Sequence, residues 1–294
     1  MTNAGRGADR DVVVDPYLGT VVNIVRSRQG RPNLPEGCPF CVGGLEAPEP
    51  YDVRAFPNRW PALGDGRCEV VLYTPDHEAS LSSIGATGVR RVIDLWAERT
   101  AAMWQRDDVE FVLVFENRGA EVGATIPHPH GQIYGYDHVP SRPAARLRAG
   151  WRPDTAAGDR LVVGRDDWCA VAVAAPVYPI SLSVFPTEQV ADLPSMSGAQ
   201  RDGLAEVLVD VLARLDRFYD RPLPYMMWVN QGPQPGTRSA RDSVSPGGHW
   251  LDVEIVSPWR APGVSRYIAA AEVACDEYFN PLDPSEVASR LRTP

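Results

Sequence analysis

The chain of 294 residues contains no lysine; all 29 of its basic side chains are arginine. That absence excludes a phosphate-loop lysine and a Schiff-base lysine. Any cationic grip on a phosphate falls to arginine, whose planar fork suits the task. A positive surplus is missing as well. The formal net charge is −9 and the sequence pI is about 5.1, which argues against nucleic acid or an anionic membrane surface as a partner. No apolar run approaches the ~18 residues of a membrane span. The opening "MTNAGRGADRD" has no apolar core of the kind a secretory signal carries, so none is expected. Cysteine is scarce and odd in number, at five. That points to a reducing cytoplasm with thiols or metal ligands, not to a disulfide framework.

What is present suffices for one large domain or two lobes: 44% of residues are apolar and 23% charged. Residues 1–11 read as a flexible tail. Strands are expected at Thr20–Val25, at Glu69–Tyr73, through "EFVLVFENRG" and through "GQIYGYDHVP". The three- and four-residue recurrence of Val89, Val92, Ile93, Leu95, Trp96 and Met103 predicts a helix over 87–106. A Pro/Arg/Ala-rich stretch, 140–158, reads as a linker between a lobe at 12–139 and a lobe at 159–294. The second lobe opens with two or three strands. An amphipathic helix follows over 197–219, then strands in "PYMMWVNQGPQPG" and "GGHWLDVEIVSP", then helices over 263–279 and 284–292. The halves rhyme: "VLVFENRGAEVG…PHPHGQIYG" against "YMMWVNQGPQPG…GGHWLDVEI". Each is a strand, an Asn-x-Gly turn, a loop and a His-bearing strand. The fold expected is therefore α+β, one unit duplicated, with antiparallel sheets and packed helices.

Two stretches carry chemistry. Cys38-Pro-Phe-Cys41 is a C-x-x-C turn, readable as half of a zinc site, as a redox pair or as two separate thiols. His77 and one member of the His128/His130 pair would complete a Cys2His2 set. His128 and His130 are two residues apart, so in extended backbone both point to one face, with Gln132 following on that face. The pair could share a metal, or divide into one ligand and one nucleophile. An amide is a poor zinc ligand but a good donor to phosphoryl oxygen. Neutral imidazole attacks phosphorus and leaves it again readily.

"FENRGAEVGATIPHPHGQIYGY" resembles the signature of galactose-1-phosphate uridylyltransferases, a branch of the histidine-triad superfamily. The resemblance extends to "CPFC", "TPDH", "FPNRWPAL" and, more loosely, "HWLDVEIVSP…SRYIAAAEVACDEY". It implies that Cys38, Cys41, His77 and His128 hold a structural zinc and that His130 is the nucleophile that becomes uridylylated. It implies that Gln132 holds phosphoryl oxygens, standing where histidine-triad hydrolases carry a third histidine. Asn117, Gly123 and Thr125 match a phosphate-lining loop, Arg28 and Arg31 a basic loop reaching the phosphates, and Asn58 a nucleoside contact. A homodimer is implied, with a ping-pong reaction between a nucleotide sugar or nucleoside triphosphate and a sugar 1-phosphate.

The chain also departs from that family. Val253 and Ile255 stand where an H-x-H pair would help hold a second metal, so no second metal is expected. Asn58-Arg59 replaces an Asn-Asp pair. In the tail, Glu272 matches a sugar-binding glutamate, but Ala271 and Tyr278 replace a tyrosine and a glutamine, and Arg266-Tyr267 replaces Lys-Phe. The altered tail suggests the same reaction on a different sugar phosphate. Two other readings are a phosphorylase using inorganic phosphate with another nucleotide, and a non-catalytic zinc-stabilised nucleotide-binding protein. His249 reads as a packed or capping residue, and His138 as a surface or turn residue.

Overall fold

The computed structural model describes residues 10–26, 29, 37–64, 66–238, 240 and 248–293. A hairpin of β1 (Arg10–Val14) and β2 (Val21–Val25) comes first. The body is one nine-stranded antiparallel sheet. Its first-half strands are β3 (Arg54–Pro57), β4 (Cys68–Leu72), β5 (Phe111–Arg118) and β6 (His130–Tyr136). The second half supplies β7 (Leu161–Gly164), β8 (Trp168–Ala172), β9 (Ile180–Pro186), β10 (Tyr225–Asn230) and β11 (Asp252–Ser257). A small hairpin of β12 (Trp259–Ala261) and β13 (Val264–Ser265) follows.

The strand order is β3-β4-β6-β5-β10-β11-β9-β8-β7. Read outward from the central pair, one side runs β5, β6, β4, β3 and the other β10, β11, β9, β8, with β7 added at the edge. The duplication legible in the sequence is thus a pseudo-twofold arrangement about the β5–β10 pairing, where Phe115 stands opposite Trp228. The two halves share one sheet because each "Asn-x-Gly" strand pairs with its copy.

One face of this sheet is dry. Helix α1 (Gly85–Met103) lays Val89, Val92, Ile93 and Trp96 on it, and α3 (Gly198–Arg217) lays Leu204, Val207, Leu208 and Val211 beside them. Both stripes follow the helical period read from the sequence. A capping box, with Ser197 and Gln200 each accepting from the other's backbone N–H, fixes where α3 starts. The opposite face carries alternate, half-buried residues: β6 alternates strictly, with His130, Gln132, Tyr134 and Tyr136 outward and Gly131, Ile133 and Gly135 inward. Among the described residues no helix is long and apolar enough to cross a membrane.

The structure changes four expectations. Strand β1 begins at Arg10, inside the stretch read as a tail. The proposed linker holds a helix, α2 (Ser141–Ala149), docked by Arg142 on Glu254 and by Arg146 on Asp252 and Glu254. Only Ala270–Cys275 of the expected 263–279 helix forms (α4), because the chain first folds back through β12–β13 and Asp276 then turns left-handed. The final helix is α5 (Pro284–Arg292), capped by Asp283.

The fourth change concerns Val253 and Ile255. Both are buried in the core on the helix-covered face, so neither position can present a ligand to the open face. The open-face pair on β11 is Asp252 and Glu254. Asp252 stands opposite Asn230, and Glu254 opposite Trp228, just as Gln132 stands opposite Phe115 in the first half. By that register Asp252-x-Glu254 is the second-half counterpart of His130-x-Gln132.

Candidate functional site

The site is built on the open face of β6 and on the loop before β3. The Cys38–Cys41 turn is tight: Gly44 N donates to Cys41 O at 2.8 Å and Glu46 N to Pro39 O at 2.9 Å. Three carbonyls close on Gly44, where a side chain would come within 2.7 Å of Cys38 O. This explains the glycine that follows the cysteines. The turn brings both thiols to the histidines. His128 Nδ1 lies 3.7 Å from Cys38 Sγ and 3.7 Å from Cys41 Sγ, and His77 Nδ1 lies 3.4 Å from Cys41 Sγ.

All four donor atoms fall within 4.8 Å of one another. A tetrahedral zinc with bonds of ~2.0–2.3 Å needs donors spaced roughly 3.3–3.8 Å apart; the Cys–His spacings of 3.4 and 3.7 Å meet this, and a small inward shift of the widest pair would complete the set. The rest of the shell orients them. His128 is buried, and its Nε2 donates to Thr74 O at 2.8 Å, which leaves Nδ1 as the lone-pair nitrogen facing the sulfurs. The Tyr51 hydroxyl sits 3.0 Å from the same Nε2 and donates to Phe40 O at 2.7 Å. Burial, then the two thiols, push the Tyr51 hydroxyl up to about 12, so it remains a donor. Burial also pushes the His128 imidazole down, toward the neutral form a ligand needs.

His130 turns the other way. Its Nδ1 donates to His128 O at 2.7 Å. The proton is thereby placed on Nδ1, and Nε2 carries the in-plane lone pair. The Phe40 ring, from between the two cysteines, packs on the imidazole at 5.0 Å between centroids. The start of β6 and the turn just before it therefore carry a nucleophile-type and a metal-type imidazole, and the cysteine turn braces both.

Gln132 follows on the same face. Its Oε1 accepts from Asn58 Nδ2 at 3.2 Å and from Tyr134 Oη at 3.2 Å. With the carbonyl end so held, the amide N–H end is the one presented for donation. Asn58 is itself fixed, since its Oδ1 accepts from Trp60 N at 2.8 Å. Arg59 reaches Glu46 at 2.7 Å and so ties this segment to the cysteine turn. Asn117 is half-buried on β5, two residues beyond Phe115, which stands opposite Gln132. Gly123 and Thr125 are exposed on the loop that leads into β6.

Other candidates named from the sequence lie elsewhere or take other duties. Arg28 and Arg31 fall outside the described residues. Arg266 and Glu272 are buried and paired with each other, and Glu272 also accepts from Ala269 N and Phe279 N, each at 2.9 Å. Together they organise the segment around α4. His249 packs against Gly232 and is pushed down by burial, and His138 pairs with Asp137 at 2.7 Å. Sequence reasoning missed Tyr51, Tyr134 and the Asp252/Glu254 pair. Tyr134 had a signal, the same two-residue period that carries His130 and Gln132. Tyr51 had none, because only the fold brings it to His128.

Residues 55–140 match the family description "Galactose-1-phosphate uridyl transferase, N-terminal domain", and residues 128–255 match its "C-terminal domain". A galactose-1-phosphate uridylyltransferase of Thermotoga maritima is 31% identical over 312 residues, covering 95% of this chain and 96% of that protein. An ADP-glucose phosphorylase of Arabidopsis thaliana is 25% identical over 308 residues, covering 91% of this chain and 84% of that one. A solved structure described as a uridylyltransferase superposes with a TM-score of 0.83 at 26% identity, covering 96% of this chain and 97% of that chain. The fold, the open-face His-x-Gln strand and these matches agree: the chain belongs to the galactose-1-phosphate uridyl transferase family.

Proposed function

We propose that the chain transfers a nucleoside monophosphate, UMP above all, to or between sugar 1-phosphates through a nucleotidyl-His130 intermediate. The observation that carries this is the Nδ1–His128 carbonyl bond of 2.7 Å, which commits Nε2 to the lone-pair form. Nε2 attacks the α-phosphorus in line. An Nε2–P bond forms as the P–O bond to the sugar phosphate or pyrophosphate breaks, and that group departs as an anion needing no proton. The acceptor's phosphate oxygen then attacks the same phosphorus, and neutral imidazole is restored. Charge gathers on the non-bridging oxygens, where the Gln132 amide, Thr125, Asn117 and the Gly123 loop would donate. Arg28 and Arg31 are proposed to neutralise the phosphates.

Zinc is the metal proposed for Cys38, Cys41, His77 and His128, and its role is structural: bound there, it would lock the cysteine turn onto the strand that presents His130. Arg266 and Glu272 are proposed to shape the sugar end of the site through the segment they hold. The two lobes are proposed to divide at 140–158, the segment that holds α2, and the compartment is proposed as the cytoplasm. A homodimer is proposed. It is supported by the β1–β2 hairpin, whose Val12, Val14, Val22 and Ile24 are exposed, with Tyr17 and Leu18 at 93% and 83% exposure. An isolated hairpin of this kind is marginal in water and calls for a cover.

The second reading, a phosphorylase with inorganic phosphate as acceptor and another nucleotide, is favoured by the resemblance to ADP-glucose phosphorylase. One exchange experiment separates the two. The protein is given UDP-glucose or ADP-glucose with either galactose 1-phosphate or inorganic phosphate. A new UDP-sugar supports the transferase; a nucleoside diphosphate formed with inorganic phosphate alone supports the phosphorylase.

A further inference from the structure

The dry side of β6 holds a feature that the chemistry above does not use. Glu116, on β5, points into the core between the sheet and the helices and is buried. One of its oxygens accepts from the Tyr225 hydroxyl, on β10, at 3.0 Å. Its other oxygen, Oε2, and the Tyr73 hydroxyl are both buried and make no hydrogen bond of normal geometry, yet the two groups act on each other: Glu116 pushes the Tyr73 hydroxyl up, and Tyr73 draws the Glu116 carboxyl down. Leaving polar atoms so is costly and asks for a reason.

The position of Tyr73 supplies one. Its hydroxyl lies directly under Gly131, so a side chain at 131 would collide with it and would also come within 2.9 Å of Phe115 O. Gly131 is the residue between His130 and Gln132. The Tyr73 ring is wedged from the other side by Trp96 of α1, at 6.0 Å between centroids. The packing thus runs from Trp96 of α1, through the Tyr73 ring, to the peptide that joins His130 to Gln132.

We infer that Tyr73 and Glu116 are positioning residues for His130: they set the height and pitch of the His130–Gly131–Gln132 segment from behind, and Glu116 ties that support through Tyr225 to the second lobe. The inference rests on the nucleotidyl-histidine reading. A shift of a nucleophile by about 1 Å can cost on the order of 100-fold in rate, so a support this direct registers in the chemical step. Glu116 is also sensitive to its surroundings. Burial pushes its carboxyl up to about 7, against the opposing hydroxyl of Tyr225, Arg118 and the hydroxyl of Tyr73, with Asp216 of α3 reinforcing the rise. Arg118 is paired with Asp216 at 2.6 Å, so both neighbours are themselves fixed.

The test measures single-turnover nucleotidylation and steady-state rates, with metal content and thermal midpoint recorded for every protein. Tyr73→Phe and Glu116→Ala are expected to slow nucleotidylation about tenfold with KM within about twofold, in folded, metal-loaded protein. Glu116→Gln keeps an acceptor for Tyr225 and is expected to recover most of the rate and to change its pH dependence near neutrality. A double-mutant cycle tests the contact itself: Gly131→Ala is expected to cost less in the Tyr73→Phe background than alone. Wild-type protein that forms no adduct overturns the underlying reaction. Wild type that reacts while Tyr73→Phe and Glu116→Ala match it within twofold, or slow only in step with lost metal or folded fraction, overturns the positioning role. Additive effects of Gly131→Ala and Tyr73→Phe overturn it as well.

Discussion

The His130 Nδ1 donates to the carbonyl of His128 at 2.7 Å, while the His128 ring itself turns its Nδ1 to two thiols. One backbone carbonyl therefore links the metal-type cluster to the tautomer of the His130 imidazole. Only His128 belongs to the Cys/His cluster, so the two residues are not interchangeable. His130→Ala is expected to abolish adduct formation while keeping metal and fold, and His128→Ala to lose metal and stability first. Metal analysis, circular dichroism and adduct mass on the two variants check this.

The cysteine turn is the second point of attack. Cys38, Cys41, His77 and His128 place their donors within 4.8 Å of one another. Metal analysis of the purified protein is expected to find about one zinc per chain, and Cys41→Ser to lose metal and thermal stability together. A wild type that is fully folded and metal-free contradicts the assignment.

Gln132 is held from its carbonyl end, so its supports should matter for rate. Tyr134→Phe removes one of two bonds to Oε1, and Asn58→Ala removes the other. Each is expected to lower the rate of nucleotidylation by about threefold to tenfold, and Gln132→Ala by roughly 100-fold, the scale of losing one charge-stabilising donor. Single-turnover rates at saturating donor decide it.

The second-lobe network predicts a pH effect. Asp252 is fully buried, and burial pushes its carboxyl up to about 7 despite the opposing charge of Arg146, with Glu254 adding to the rise. A folded pKa above the unfolded value means the contribution is whole below about pH 4 and is lost as pH rises through about 7, by at most ~4 kcal/mol. Asp252→Asn is expected to flatten the stability curve between those limits, measured by urea unfolding. Arg146→Ala leaves Asp252 and Glu254 without their shared partner at 2.6 and 2.7 Å, and is expected to cost about 3 kcal/mol at neutral pH.

Much of this was legible in the chain because it follows local periods. The alternation of His130, Gln132 and Tyr134 and the stripes of α1 and α3 depend only on backbone geometry. The paired "Asn-x-Gly" strands likewise announced the duplication before the β5–β10 pairing was visible. Placement failed where one residue decides a face. A shift of a single position puts Val253 and Ile255 in the core and Asp252 and Glu254 on the open side. It failed again over 263–279, where helical spacing was overridden by the β12–β13 hairpin and by the Arg266–Glu272 pairing. Contacts such as Tyr51 to His128, or Tyr73 under Gly131, join residues whose adjacency exists only once the sheet has formed.

The most direct measurement is intact mass under alkaline conditions, where phosphohistidine-type bonds survive, after separate incubation with UDP-glucose, UTP, ADP-glucose and GTP. The account predicts a gain of one nucleoside monophosphoryl group from at least one donor, UDP-glucose first, and its loss in His130→Ala. Metal-loaded, folded wild type that gains no mass with any of the four donors, or an adduct that persists in His130→Ala, would contradict it.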